Sequence, residues 1–215
     1  MTVPIPSPIF RFIHVDNLYI LLRRGGIYAP NSTPNDGLAY RTIHRQDMQD
    51  ARHVRYVPCG PRGTVHDYVP FYFGYLSPML LQLQTGRVDG YTEGQEPLIY
   101  LVSDAQTVQA SGTEFVFTDG HGIPAWTKYF SDLADLDKVG WDMVYQRYWA
   151  DDPLGDSDRQ RRKQAEFMVH RFCPWSLVRR IAVISSAMKT RVEGIMAGFD
   201  TGLRRPVTVE PGWYY

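Results

Sequence analysis

The sequence predicts an α+β fold with a mainly antiparallel or split sheet, on three observations. Short β-rich runs recur at residues 68–73, 97–102, 114–118, 178–184 and 207–209. Helical spacing appears at 16–24, 78–83 and 187–197. The two kinds mix without the regular alternation that a parallel sheet with crossover helices requires. With 44% apolar residues in a chain of 215, one substantial core is expected, and residues 1–215 read as a single domain.

Each element has a local reason. Over 16–24, Asp16 or Asn17 can cap a helix, Leu18, Leu21 and Leu22 share one face, and Gly25-Gly26 stops it. Residues 44–55 are polar and weakly helical. In 68–73, Pro70 argues for an edge strand or a bulge. Pro78 suits the first turn of a helix running to Leu83. Residues 97–102 and 114–118 read as buried strands, and Asp119-Gly120-His121-Gly122 as a turn. Residues 123–156 are irregular, with aromatics scattered among aspartates and a helix expected near 138–149. Ser157 or Asp158 can cap a further helix ending near Glu166. A strand over 178–184, a helix over 187–197 and a strand over 207–209 complete the chain.

Lys plus Arg equals Asp plus Glu at 23 each, so net charge neither supports nor excludes a nucleic-acid partner. The distribution is uneven: residues 132–158 carry eight aspartates, and residues 159–163 hold four basic residues in five. The two cysteines, Cys59 and Cys173, are expected to be reduced thiols, as in a cytosol. The first residues lack a basic and apolar leader, and no apolar run reaches the length of a membrane span. The expectation is a soluble cytoplasmic protein. There is no GxGxxG, Walker lysine loop, GxSxG, HExxH or cysteine cluster. Common dehydrogenases, P-loop nucleotidases, serine hydrolases and zinc enzymes are therefore set aside, and no metal is expected.

Three blocks stand out. Arg161-Arg162-Lys163-Gln164-Ala165-Glu166-Phe167-Met168-Val169 places one carboxylate between a basic run and an apolar segment. Asp67-Tyr68-Val69-Pro70-Phe71-Tyr72-Phe73 leads into Gly74-Tyr75-Leu76-Ser77-Pro78-Met79-Leu80, and His14-Val15-Asp16-Asn17-Leu18 lies near the start. Taken in chain order, the blocks resemble the DarT family of DNA ADP-ribosyltransferase toxins, over residues 9–185. The resemblance implies an ADP-ribosyltransferase fold with a split, mainly antiparallel sheet and flanking helices. It also implies transfer of ADP-ribose from NAD+ to a base, a thymidine in a short sequence context, in single-stranded DNA. A cognate macrodomain antitoxin similar to DarG would be the partner, and a monomer the expected state.

Splitting the nicotinamide–ribose bond releases a group that is already cationic, so no strong acid is needed to expel it. The demand is to stabilise the cationic sugar, which a nearby carboxylate does electrostatically. Locally, Glu166 reads as a solvated residue on a basic helix, pairing with Arg162. The resemblance makes it the catalytic glutamate of a Gln-Ala-Glu-Phe pattern. Arg52 reads locally as one cation on a solvated helix face; the resemblance makes an arginine upstream of the Tyr-Val-Pro-Phe strand essential. Arg52 fits that place better than Arg55. A guanidinium stays protonated, which favours an electrostatic role toward an anionic base and the cofactor phosphates, with proton removal left open.

The resemblance further places His14, Val15 and Asp16 at the nicotinamide. Asn17 would cap its helix or touch the cofactor, Asn31 would border the ribose, and Tyr72 and Met79 would wall the pocket. Residues 119–160 correspond to the acceptor-choosing loop. There the aromatics could stack unpaired bases, while Arg55, Arg159, Arg161 and Lys163 would meet DNA and His121 the acceptor base. Two rival readings remain: NAD+ glycohydrolysis or transfer to RNA or protein on the same scaffold, and a non-catalytic single-strand binder using the aromatics of 126–149.

Overall fold

The computed structural model describes residues 2–215. The N-terminal half contains β1 (Pro8–His14), α1 (Asn17–Arg24), β2 (Gly26–Tyr28), α2 (Gln46–Val54), β3 (Tyr68–Tyr72), α3 (Pro78–Gln84), β4 (Leu98–Asp104) and α4 (Ala105–Ala110). The C-terminal half adds β5 (Phe115–Thr118), β6 (Tyr129–Phe130), α5 (Trp141–Val144), α6 (Arg159–Lys163), β7 (Glu166–His170), β8 (Phe172–Pro174), β9 (Arg180–Val183), α7 (Ser186–Ala197) and β10 (Val207–Val209). Eight strands form one sheet in the order β10-β9-β4-β1-β3-β7-β5-β6, and β2 pairs with β8 beside it. Every pairing is antiparallel except β10 with β9. The α+β class expected from the irregular order of elements is what the chain adopts.

Strand alternation divides the core between the two faces of the sheet. Ile9, Ile13, Ile99, Leu101, Val69 and Phe71 pack with Leu18, Leu21 and Leu22 of α1 and Met188, Val192 and Met196 of α7. Phe10, Phe12, Leu98, Tyr100 and Val102 face the other way, against Leu80 and Leu83 of α3 and the C-terminal Tyr214.

The sheet splits at its centre, and the split makes room for a site. β3 pairs with β7 along its whole length, Tyr68↔His170 to Tyr72↔Glu166, but meets β1 only at Phe10↔Tyr72. Beyond that point β1 and β3 diverge. The edge position expected from Pro70 is therefore corrected: β3 is central in strand order. Residues two apart in a strand direct their backbone groups to the same side, so Pro70, like Tyr72, faces β1. There β1 has already turned away, and Pro70 O accepts instead from Arg11 Nη1 at 2.8 Å. A residue without an N–H costs nothing at a place where no ladder forms.

Other expectations shift in the same region. The helix anticipated over 138–149 is a 3-10 turn at Leu133–Lys138 followed by the single turn of α5. α6 stops at Lys163, so Glu166 opens β7 rather than closing a helix. Asn17 starts α1 without capping it; its side chain clasps the backbone of Arg41 (Nδ2 to O 2.9 Å, Oδ1 from N 2.7 Å).

Candidate active site

At the split, a cavity of about 790 Å³ opens between β1, β3, the start of β7, α2, α3 and residues 40–46. Its walls include Arg11, Asn17, Tyr40, Arg52, Tyr72, Met79, His121 and Glu166. The register explains the convergence. Tyr72 lies directly opposite Glu166, so both side chains emerge on one face of the sheet.

Glu166 is 1% exposed and is held from two directions. Arg52, near the end of α2, meets it bidentately, Nη1 to Oε1 at 3.2 Å and Nη2 to Oε2 at 2.8 Å. The Gly122 amide donates to Oε1 at 2.9 Å. A Cβ at position 122 would stand 3.3 Å from that oxygen and from Tyr129 Oη, so glycine gives the amide its approach. Burial opposes ionisation of Glu166, but the charge and hydrogen bonds of Arg52, with the Gly122 amide, outweigh it and hold the carboxyl below its usual range. Burial likewise works against the Arg52 charge, and Glu166 more than restores it. The result is a desolvated but ionised carboxylate on the cavity wall.

A set of contacts fixes the turn that carries Gly122 and His121. Arg55 donates to the carbonyls of Gly122 (3.2 Å) and Pro124 (3.1 Å), and the Tyr129 hydroxyl also donates to Gly122 O. His121 N–H donates to Arg161 O (2.9 Å), and His121 O accepts from Thr127 Oγ1 (2.6 Å). Burial pushes the His121 imidazole pKa down; Glu166 resists this and Arg52 adds to it. A neutral imidazole therefore faces the ion pair.

The residues singled out from sequence divide clearly. Arg52, Glu166, Tyr72, Met79, Asn17 and His121 line one cavity. His14, Val15, Asp16 and Asn31 do not. His14 is buried, accepting from Asp16 N at 3.2 Å; Val15 N–H donates to Pro97 O; Asp16 pairs with Arg41 and Arg191; and Asn31 Nδ2 donates to Asp67 Oδ1 at 2.9 Å. They brace the β1–α1 corner and the rim in this arrangement. Among the described residues, no group of three or more His, Cys, Asp or Glu is placed to hold a metal.

The basic run 159–163 is largely committed within the chain. Arg161 pairs with Asp119 and Asp158, Arg162 with Asp156, and Arg159 Nη2 donates to Tyr148 O at 2.8 Å. Arg55, expected at DNA, is likewise engaged by loop carbonyls. Lys163, also expected at a phosphate, is instead 1% exposed, with Nζ on Tyr75 O (2.9 Å) and Val144 O (2.6 Å). It fastens α6 to α5 and to the segment after β3. There Gly74 passes so close to α5 that a Cβ would stand 2.0 Å from Val144 O.

Burial pushes the Lys163 ammonium down to about 7. The folded state therefore releases this proton at lower pH than the unfolded state, which binds it up to the ordinary lysine range. Stability should rise as pH increases through that window. Thermal melts of Lys163→Met from about pH 6, below the folded value of about 7, up to about pH 10, near the ordinary lysine value, are expected to lack this rise; an identical slope in both proteins would exclude Lys163 as its source.

Sequence reasoning missed Arg11 and Tyr40. Neither belongs to a motif, and only the divergence of β1 from β3 brings them to the cavity.

The chain is similar to known proteins over its whole length. The family model described as "ssDNA thymidine ADP-ribosyltransferase, DarT" matches residues 10–215. A DNA ADP-ribosyl transferase of Thermus sp. (strain 2.9) is 40% identical over 214 residues, covering 100% of this chain and 99% of the relative. The solved structure of Thermus sp. 2.9 DarT in complex with ADP-ribosylated ssDNA superposes with a TM-score of 0.93 at 39% identity, covering 100% of this chain and 99% of that one. The complex of the same DarT with NAD+ gives 0.89 at 39% identity, covering 100% of both chains.

Proposed function

We infer the function from the family to which the chain belongs: it is a member of the DarT family of single-stranded DNA thymidine ADP-ribosyltransferases. Its reaction is transfer of ADP-ribose from NAD+ to a thymidine of single-stranded DNA, with NAD+ as co-substrate and no metal step. One observation carries this reading: the buried Arg52–Glu166 pair with the Gly122 amide, on the wall of a cavity large enough for a dinucleotide.

The chemistry follows from that placement. As the bond between nicotinamide and ribose breaks, its electron pair leaves with nicotinamide and positive charge builds on the sugar. Glu166, ionised and screened from water, stabilises that charge where the low dielectric makes it most effective. Arg52 keeps the carboxylate ionised and oriented. A ring nitrogen of the base then bonds to the sugar carbon as its own N–H bond breaks, the proton passing to water. His121, neutral and beside the pair, is placed to face the acceptor base.

DNA is met by few groups. Trp126 (69% exposed) and Tyr148 (81% exposed) are the aromatic surfaces of the acceptor region open to stacking. The eight aspartates of 132–158 lie mostly at the surface. With the basic run paired internally, binding to a single strand should weaken with salt along a shallow slope. Nothing here resembles a wedge for opening a duplex. Labelled NAD+ should therefore modify a thymidine-bearing single strand well and the same sequence as duplex poorly. Equal labelling of duplex and single strand, or labelling of the RNA version alone, would overturn the acceptor assignment.

The finer features of the reading rest on the family resemblance. Residues 1–215 act as one catalytic domain and as a monomer. A DarG-like macrodomain that removes the mark is the cognate partner, and the cytoplasm is the compartment in which both meet DNA. Among the described residues no helix is long and apolar enough to cross a membrane.

A further inference from the structure

The cavity is lined by four arginines. Three have carboxylate partners: Arg41 with Asp16 and Glu93, Arg45 with Asp47, and Arg52 with Glu166. Arg11 is the exception. Rising from β1 at the root of the split, it has one hydrogen bond among the described residues, Nη1 to Pro70 O, and its Nε is buried without a partner. Tyr40 lines the same cavity within electrostatic reach of Arg11, and its hydroxyl, near the Arg24 guanidinium, is buried without a well-formed hydrogen bond. The Tyr40 ring is held in place by Arg24, whose guanidinium sits 4.8 Å from the ring centroid and is clamped by both oxygens of Asp36.

We propose that Arg11 and Tyr40 form an anion subsite of this cavity that takes a phosphoryl oxygen of the dinucleotide, an assignment that rests on the NAD+ reading above. The charge count favours it. Arg52 and Glu166 cancel, so Arg11 leaves the inner cavity with one uncompensated positive charge facing a co-substrate whose diphosphate is anionic. A buried charged donor left without a partner is costly, and a phosphoryl oxygen relieves that cost on binding. A neutral carboxamide would satisfy the hydrogen bonds but not the charge. A DNA backbone phosphate offers the same chemistry, yet Arg11 lies at the root of the sheet's split, whereas the exposed acceptor-region aromatics lie on the surface.

The test is titration calorimetry of wild type, Arg11→Met, Arg11→Lys and Tyr40→Phe with NAD+, ADP-ribose, nicotinamide riboside, inorganic pyrophosphate and a thymidine-bearing single strand. Arg11→Met should weaken NAD+, ADP-ribose and pyrophosphate by about tenfold or more and leave nicotinamide riboside nearly unchanged. Arg11→Lys should recover part of the loss. Tyr40→Phe should weaken NAD+ and pyrophosphate less than Arg11→Met does and leave nicotinamide riboside nearly unchanged; an equal loss for all three ligands would mark a merely structural role. Unchanged NAD+ affinity in folded variants, or equal losses for NAD+ and nicotinamide riboside, would overturn the subsite. A loss confined to the single strand would assign it to DNA phosphate instead. Wild type that ignores NAD+ would defeat the functional reading, and the pyrophosphate arm would still decide whether Arg11 binds anions.

Discussion

Glu166→Gln is expected to abolish transfer while leaving the fold and NAD+ affinity nearly intact. The amide has almost the same shape, and its oxygen can still accept from Arg52 Nη1 and from the Gly122 amide, so the wall of the cavity should persist. Its NH2 then faces Arg52 Nη2 and the guanidinium loses its counter-charge, so the melting temperature should fall. What disappears is the negative charge that meets the cationic sugar, an interaction that grows toward the transition state. Loss of a positioned electrostatic group of this kind costs about 10²–10³ in kcat. A fall in kcat without a matching rise in the Kd for NAD+ is the expected pattern. Near-normal transfer in a folded Glu166→Gln protein would remove this residue from the mechanism. Glu166→Ala should be equally inactive but less informative, because it strips Arg52 and Gly122 of their shared acceptor.

Arg52→Ala should be damaging in a different way. It leaves a carboxylate buried without its cation, a change that costs about 3–5 kcal/mol in a buried pair. Burial, then unopposed by Arg52, should push the Glu166 carboxyl upward. In the wild type this group's folded pKa is depressed, so its contribution to stability is present above the ordinary glutamate range and is lost only as pH falls below it. In Arg52→Ala the sign reverses: the folded state holds the proton more tightly than the unfolded state, and stability should fall as pH rises toward neutrality. Transfer and NAD+ affinity should both drop, and Arg52→Lys should rescue only partly, because an ammonium cannot reproduce the bidentate contact. Melting curves across acidic to neutral pH check this; parallel curves for wild type and Arg52→Ala would show that the pair is not coupled as described. Arg55→Ala should instead loosen the Gly122–Pro124 turn, since its guanidinium holds those carbonyls.

The sequence made some of this arrangement legible, and the limits have physical causes. Leu18, Leu21 and Leu22 announced α1, and Pro78 announced α3, because helical spacing and a first-turn proline are local signals. Glu166 could be named only through the family resemblance. Its immediate neighbours argue for a solvated helix, and its burial comes from the pairing of β7 with β3, a contact between residues 94 positions apart at Tyr72↔Glu166. Pro70 misled for a related reason. Its missing N–H normally bars a central strand, but here the neighbouring strand has already diverged. Lys163 looked like part of a basic surface because three of its four sequence neighbours in 159–162 are arginines; the carbonyls of Tyr75 and Val144 that hold its ammonium come from other segments. Arg11 was hidden inside an apolar strand, where only the split of the sheet gives it a cavity to face.

The most direct test of the central claim is mass spectrometry of a thymidine-containing single-stranded oligonucleotide after incubation with NAD+ and the protein. The account predicts one ADP-ribosyl group added to the strand, with release of nicotinamide, and no addition with Glu166→Gln. Nicotinamide released while the strand keeps its mass would contradict it, and would make the protein a hydrolase of NAD+ rather than a DNA-modifying transferase.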